Sequence, residues 1–211
     1  MEFGMFHEFP SLPGTSDSEA FDEAMEQVDA AERWGLDVMW LAELHFEPRR
    51  SVLSAPLSIA SAIAARTRRI KIGIAVQVLP LCHPLRLAEE AATVDQLSHG
   101  RLIFGVGRSG VAQTYEAYGV SYAESRERFR EILDIVERAW TEPSFSYDRR
   151  LPPLQKRHGG SQALPEADAA DPHRRQYPRH LPRDWPTRHA DLCLGAPHQL
   201  GRSRRADPDL P

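Results

Sequence analysis

The sequence predicts an α/β fold of parallel strands alternating with helices, and it confines that fold to roughly the first 150 of 211 residues. Three observations carry this. Four short apolar runs recur roughly every 30–35 residues, at Glu2–Glu8, Asp37–Leu44, Ile70–Leu79 and Arg101–Gly107. The stretches between them repeat their apolar residues at helical spacing. From Leu151 to Pro211 there is no Val, Ile, Phe or Met, while that stretch holds 10 of the 17 prolines and 5 of the 9 histidines. Without branched aliphatic or large apolar side chains it has nothing from which to build a core.

Taken in order, the first run leads into a helix carrying Phe21, Met25, Val28 and Glu32 at helical spacing, with Gly35 placed to end it. The second run is followed by the Ala-rich stretch Ala55–Arg66, which puts Leu57, Ala60, Ile63 and Ala64 on one face. After the third run, Leu85–Ser98 repeats the arrangement, with Glu89 and Glu90 near its start and Gly100 as its stop. The fourth run precedes a helix over Glu124–Thr141 that buries Phe129, Ile132, Leu133, Val136 and Trp140, and Pro143 closes it. Lys71–Leu79 is apolar almost without interruption, which is how a strand covered on both faces reads, so a parallel sheet fits best. At this period the alternatives are a doubly wound sheet or a (β/α)8 barrel. A barrel has eight units in about 250 residues, so four units make its first half.

Charge and composition exclude several classes. Residues 1–150 carry 16 basic and 23 acidic side chains and the remainder 10 and 7, so the folded part offers no basic nucleic-acid surface. The arginines around Arg202–Arg205 are interrupted by Asp207 and Asp209 and have no helical register. Cys82 and Cys193 are too few for a disulfide framework and suit a reducing cytoplasm. No apolar run reaches the roughly 20 residues that span a bilayer, and Glu2 opens no secretory leader. The expectation is a cytoplasmic protein with neither membrane nor nucleic-acid partner, and with no metal site.

In such folds the chemistry gathers where strands end and loops lead into helices. After the second run, Glu43 and His45 stand two residues apart and project to the same side, so the carboxylate can fix the imidazole's tautomer. After the third, His83 reaches the same rim from a loop bounded by prolines. After the fourth, Gly105-Val-Gly-Arg-Ser-Gly110 offers close backbone approach and a guanidinium, Arg108, fit to hold a phosphate. Each taken alone is also what an ordinary strand end carries. Their convergence on one rim favours a site.

Trp40-Leu-x-Glu-x-His-Phe46, Val78-Leu-Pro-x-x-His-Pro-x-Arg86, Glu89-Glu90, Asp95-Gln-x-Ser-x-Gly-Arg101, Phe104-Gly-x-x-Arg108 and Ser125-Arg-x-Arg-Phe129 with Trp140 occur in that order. As a set they resemble the bacterial luciferase-like flavin monooxygenase family over about residues 1–148. The resemblance implies a (β/α)8 TIM barrel of which the first four β/α units are encoded. It also implies an enzyme using reduced FMN, supplied by a separate flavin reductase, and O2 to oxidise a small organic substrate. It makes Arg108 the flavin-phosphate anchor and places His45 and Glu43 beside the flavin as the catalytic pair. Ala75 and Val76, joined by a non-proline cis peptide, would lie under the isoalloxazine, with His83 on the same rim. Pairing of family members through the helices after the early strands implies a homodimer. The Glu-x-His-Phe rim resembles the FMN branch more than the deazaflavin-using one. One departure stands out: the luciferases have two adjacent histidines after the glutamate, and here Leu44 takes the place of the first. That removes the expectation of light emission.

Residues 149–211 do not continue the pattern and are expected to be an irregular tail. Dropping one base at residue 149 and choosing among allowed codons turns this text into a segment beginning Gly-Asp-Phe-His-Arg-Phe, which resembles the family's continuation. The tail therefore reads as an out-of-frame translation of the barrel's second half. The alternative to an active enzyme is then a non-catalytic half-barrel remnant without a complete flavin site.

Overall fold

A computed structural model describes residues 1–147 and the strand at 154–158. Its elements follow the predicted rhythm: β1 (Gly4–His7), α1 (Asp17–Trp34), β2 (Val38–Leu41), α2 (Pro56–Arg66), β3 (Lys71–Val78), α3 (Pro84–Ser98) and β4 (Leu102–Gly107). Then come α4 (Ala112–Ala117), α5 (Ser125–Thr141), β5 (Ser144–Tyr147) and β6 (Leu154–His158). Strands β1 to β4 form one sheet in sequence order with every neighbouring pair parallel. This is the arc of four β/α units that the sequence predicts.

Local chemistry explains the boundaries. Ser16 caps α1 in a full capping box with Glu19, and Gly35 ends the helix in the left-handed region. At the end of α3 the expected stop is displaced by one residue. His99 takes the left-handed cap at φ 56° and Gly100 follows at φ 77°. The N–H groups of both close on the carbonyls of Gln96 and Asp95, the same double turn that Gly35 and Leu36 make at the end of α1 with one positive-φ residue. The short helix α4 was not foreseen, being too brief for periodicity to reveal. Neither was β6, which pairs antiparallel with β5 and lies within the stretch set apart as tail. The other expectations for 149–211 fall outside the described residues.

The core lies between sheet and helices. Met39, Leu41, Ile72 and Ile74 are fully covered on one face of the sheet, against Ala60, Ile63 and Ala64 of α2 and Leu87, Ala88 and Ala91 of α3. Helix α5 adds Ile132, Ile135 and Val136, and Trp140 Nε1 donates to the Ala88 carbonyl at 3.0 Å. Ile135 was not among the residues the sequence marked as buried. The opposite face carries the Trp40 ring, which lies so close over Gly73 that a Cβ there would sit 2.2 Å from Trp40 Cε3. Among the described residues β1 and β4 are the edges of this sheet, and Phe6 on β1 is 55% exposed.

A carboxylate fastens α1 to the turn before β3. Glu32 accepts from the backbone N–H groups of Arg68, Arg69 and Ile70 at 2.9, 3.0 and 2.8 Å. Burial alone would raise its pKa, but these backbone donors, with Arg69, outweigh it and hold Glu32 below the usual carboxylate value. A depressed folded pKa stabilises the fold above the unfolded value, about 4.3, and that contribution is lost as pH falls through the folded value. Glu32→Gln is therefore expected to lower the urea midpoint at pH 7. The gap to wild type should narrow as pH falls below about 4.3 and close once it is below the folded value.

Candidate functional site

The loop after β2 turns sharply at Phe46, whose φ of 61° swings the chain back toward α2. This sets Glu43 and His45 side by side. Their side chains are only 3% and 8% exposed, and His45 Nε2 lies 2.8 Å from Glu43 Oε1. The other carboxylate oxygen, Oε2, accepts from the Val78 N–H at 2.7 Å and from Gln77 Nε2 at 2.6 Å. Glu43 is thus an acceptor on both oxygens. A carboxylate held this way needs a proton on His45 Nε2, which leaves Nδ1 as the imidazole's free nitrogen. Tyr118, at the end of α4, brings its hydroxyl to 3.2 Å from that Nδ1.

Two other side chains close this corner. Cys82 Sγ lies 3.6 Å from Gln77 Nε2, and burial, followed by the Glu43 charge, pushes its thiol up to about 12. It is no nucleophile at neutral pH. Gln77 Oε1 is buried without a partner among the described residues. The rings of His45, Phe46 and Tyr118 meet with centroids 5.2 to 6.1 Å apart, and Phe46 and Tyr118 are both exposed. An apolar rim thus stands over a polar pair.

The second part of the site follows β4. Arg108 Nη1 donates to Ser125 Oγ at 2.7 Å, and the hydroxyl of Ser125, only 1% exposed, donates in turn to the Tyr122 carbonyl at 2.6 Å. The guanidinium carbon lies 5.4 Å from the Tyr122 ring centroid. Tyr115, wholly buried, donates its hydroxyl to the Arg108 carbonyl and fixes the backbone there. Burial, reinforced by Tyr122, pushes the Tyr115 phenol up to about 12 despite Arg108 nearby. Arg108 Nε is buried with no partner, and no carboxylate pairs with this guanidinium among the described residues. A buried cationic donor without an acceptor is costly unless an anion completes it.

Between the two lies the β3–β4 contact. The Ala75–Val76 peptide is cis. These two residues form the irregularity in the ladder, where Ile74 pairs with Phe104 and Gln77 with Val106. One residue of β4, Gly105, therefore faces two of β3. Both Ala75 and Val76 are half-buried. His83 makes no hydrogen bond to the Glu43–His45 pair among the described residues: it is the N-cap of α3, and its Nδ1 accepts from the Arg86 N–H at 3.4 Å. Gln77, Tyr115, Tyr118, Tyr122 and Ser125 were given no role from sequence. The three tyrosines recur at helical spacing straight after the Gly-Arg turn, a signal that could have found them.

The fold and rim define the first half of a TIM-type (β/α)8 barrel, with its polar groups at the strand ends where such barrels hold their ligands. The luciferase-like monooxygenase family profile matches residues 1–173, and the chain belongs to that family. It is 34% identical over 119 residues to limonene 1,2-monooxygenase of Rhodococcus erythropolis, covering 56% of this chain and 30% of that one. It is 30% identical over 148 residues to the alkanal monooxygenase alpha chain of the Kryptophanaron alfredi symbiont, covering 70% and 41%. Among solved structures it resembles the oxygenating constituent of 3,6-diketocamphane monooxygenase from Pseudomonas putida, solved in complex with FMN. The TM-score there is 0.69 at 26% identity, covering 73% of this chain and 43% of that one. The chain thus spans less than half the length of these three relatives. Among the described residues no helix is long and apolar enough to cross a membrane.

Proposed function

We propose that this chain belongs to the oxygenase side of a two-component flavin monooxygenase, taking reduced FMN from a separate reductase and using O2 to oxidise a small organic substrate. The observation that carries it is the Nε of the half-buried Arg108, itself buried and without a partner among the described residues. A phosphate is the anion whose oxygens suit that planar donor. Half-buried Ala75 and Val76, at the irregularity of the β3–β4 ladder, would lie against the ring system. Gln77 Oε1 leaves an acceptor for a ligand N–H or O–H. The residues present therefore fit FMN.

Reduced FMN, when bound, supplies the electrons with which O2 is activated to oxidise the substrate. The chain's own residues bind, orient and exclude water. Arg108 fixes the phosphate end, held by Ser125 and stacked on Tyr122. Glu43 keeps the proton on His45 Nε2, so that Nδ1 accepts or returns a proton at the reacting centre. Phe46 and Tyr118 form an apolar wall that suits a hydrophobic substrate. His83 borders the same rim while capping α3. With Leu44 in place of a second histidine, oxygenation without light emission is the reading. A cytoplasmic setting and a homodimer through the helices after the early strands belong to it. Sedimentation velocity tests the dimer.

The decisive experiment is flavin titration of the purified chain by fluorescence quenching. FMN is expected to bind, and Arg108→Ala to weaken it at least about tenfold, equivalent to about 1.4 kcal/mol. Riboflavin, which lacks the phosphate, should be indifferent to the substitution. If FMN is not retained, or if both flavins respond alike, the phosphate-anchor reading is wrong and the half-barrel remnant stands in its place.

A further inference from the structure

Glu43 occupies one side of the His45 ring completely. The Val78 N–H and the Gln77 amide fill Oε2, so Oε1 is what remains for Nε2. On the other side, among the described residues, the group that reaches Nδ1 is the Tyr118 hydroxyl at 3.2 Å. The two residues come from different loops, and the rings meet edge-on with centroids 5.2 Å apart. Tyr118 is 45% exposed, so its ring faces solvent while its hydroxyl points inward. Its backbone N–H closes on the Thr114 carbonyl at 3.1 Å, and Gly119 turns away at φ 66°, which fixes the backbone that carries the ring.

We propose that Tyr118 is a positioning residue for His45: its hydroxyl donates to Nδ1 and so fixes the direction in which the imidazole exchanges a proton with bound substrate. This rests on His45 being the proton-handling group of the site. Among the described residues, the titratable groups interacting around the ring are Glu43 on its own loop, Cys82 after β3 and Tyr118 itself. Cys82 is neutral, since burial and Glu43 push it up to about 12. Burial first, then Glu43 and Cys82, raise Tyr118 as well, so it remains an O–H donor at neutral pH. A proton entering or leaving His45 at Nδ1 therefore passes through this hydroxyl or waits for it to move aside. A phenylalanine here would give the same ring wall without that control.

The test uses the full chain without flavin, so its failure is read separately from a failure to bind FMN. Ring-nitrogen NMR of His45, identified by its loss in His45→Gln, reports which nitrogen carries the proton and whether the other accepts a hydrogen bond. Wild type is expected to show the Nε2–H tautomer with a hydrogen-bonded Nδ1. Tyr118→Phe keeps the ring and should keep the tautomer, but move Nδ1 to the frequency of an unbonded acceptor. Diethyl pyrocarbonate, which acylates the unprotonated nitrogen, should then modify His45 about fivefold faster, the factor for losing one ordinary hydrogen bond. A merely structural tyrosine would leave both readouts unmoved. An unchanged Nδ1 signal and acylation rate in Tyr118→Phe, or an Nδ1–H tautomer in wild type, overturns the proposal.

Discussion

Arg101→Ala is expected to lower stability by about 3 kcal/mol or more, read as a fall in the urea midpoint with an unchanged slope. Arg101 sits at the start of β4 and donates to five oxygens: the carbonyls of Ser98, Ile70, Ala64 and Thr67, at 2.8, 2.7, 3.1 and 3.1 Å, and Thr67 Oγ1 at 2.8 Å. Ala64 and Ser98 lie in the last turns of α2 and α3, whose carbonyls have no partners within their own helices. One guanidinium therefore closes two helix C-termini, where a cation is also favoured by the helix dipoles. Burial pulls its pKa below the ordinary arginine value, Arg68 adds to this and Glu32 opposes it. Truncation leaves these carbonyls facing a void. Arg101→Lys should recover less than half of the loss, because a single ammonium has three donors and lacks the planar fork. A variant with an unchanged midpoint would show that these bonds are replaced by water at no cost.

Gly105→Ala should cost about as much, about 3 kcal/mol, and it should also abolish FMN retention. A Cβ at Gly105 would lie 2.2 Å from the Ile74 carbonyl oxygen. That oxygen belongs to backbone paired into the sheet, so it cannot swing away as a side chain would. Gly105 is not in the left-handed region, so the cost is steric rather than conformational. Relief requires β4 to move off β3 just where Ala75–Val76 interrupts the ladder, which displaces both that pair and Arg108. Gly110 provides the control. Nothing lies within 4 Å of a Cβ there and its φ is ordinary, so Gly110→Ala should leave the urea midpoint within about 0.5 kcal/mol of wild type. Equal midpoints for the two variants would mean that the strands tolerate the spread.

Most of the architecture was legible because it depends on periodicity. Lys71–Val78 reads as a strand covered on both faces, and it proves to be an interior strand of a parallel sheet. Gly35 and Ser98 mark helix ends within a residue. The handover from His99 to Gly100 was not legible, since a left-handed histidine is set by the double turn and not by residue preference. Neither α4 nor the pairing of β5 with β6 was expected. Helix α4 has only six residues, and β6 pairs through its backbone within a composition that signals no core.

At the site, Glu43, His45 and Arg108 could be named from spacing and from resemblance, because each follows a strand end at a fixed offset. Their roles could not. That Glu43 is filled by Val78 and Gln77, that Nδ1 and not Nε2 is the free nitrogen, and that His83 caps a helix all depend on atoms more than thirty residues apart or on local backbone direction. Family and strand order were written in the chain itself, since side-chain period and motif spacing are local properties. Which hydrogen-bonding atoms are satisfied, and which are left waiting for a ligand, was decided only when the sheet brought separate loops to one rim. A buried donor or acceptor is defined by its neighbours and not by its own identity.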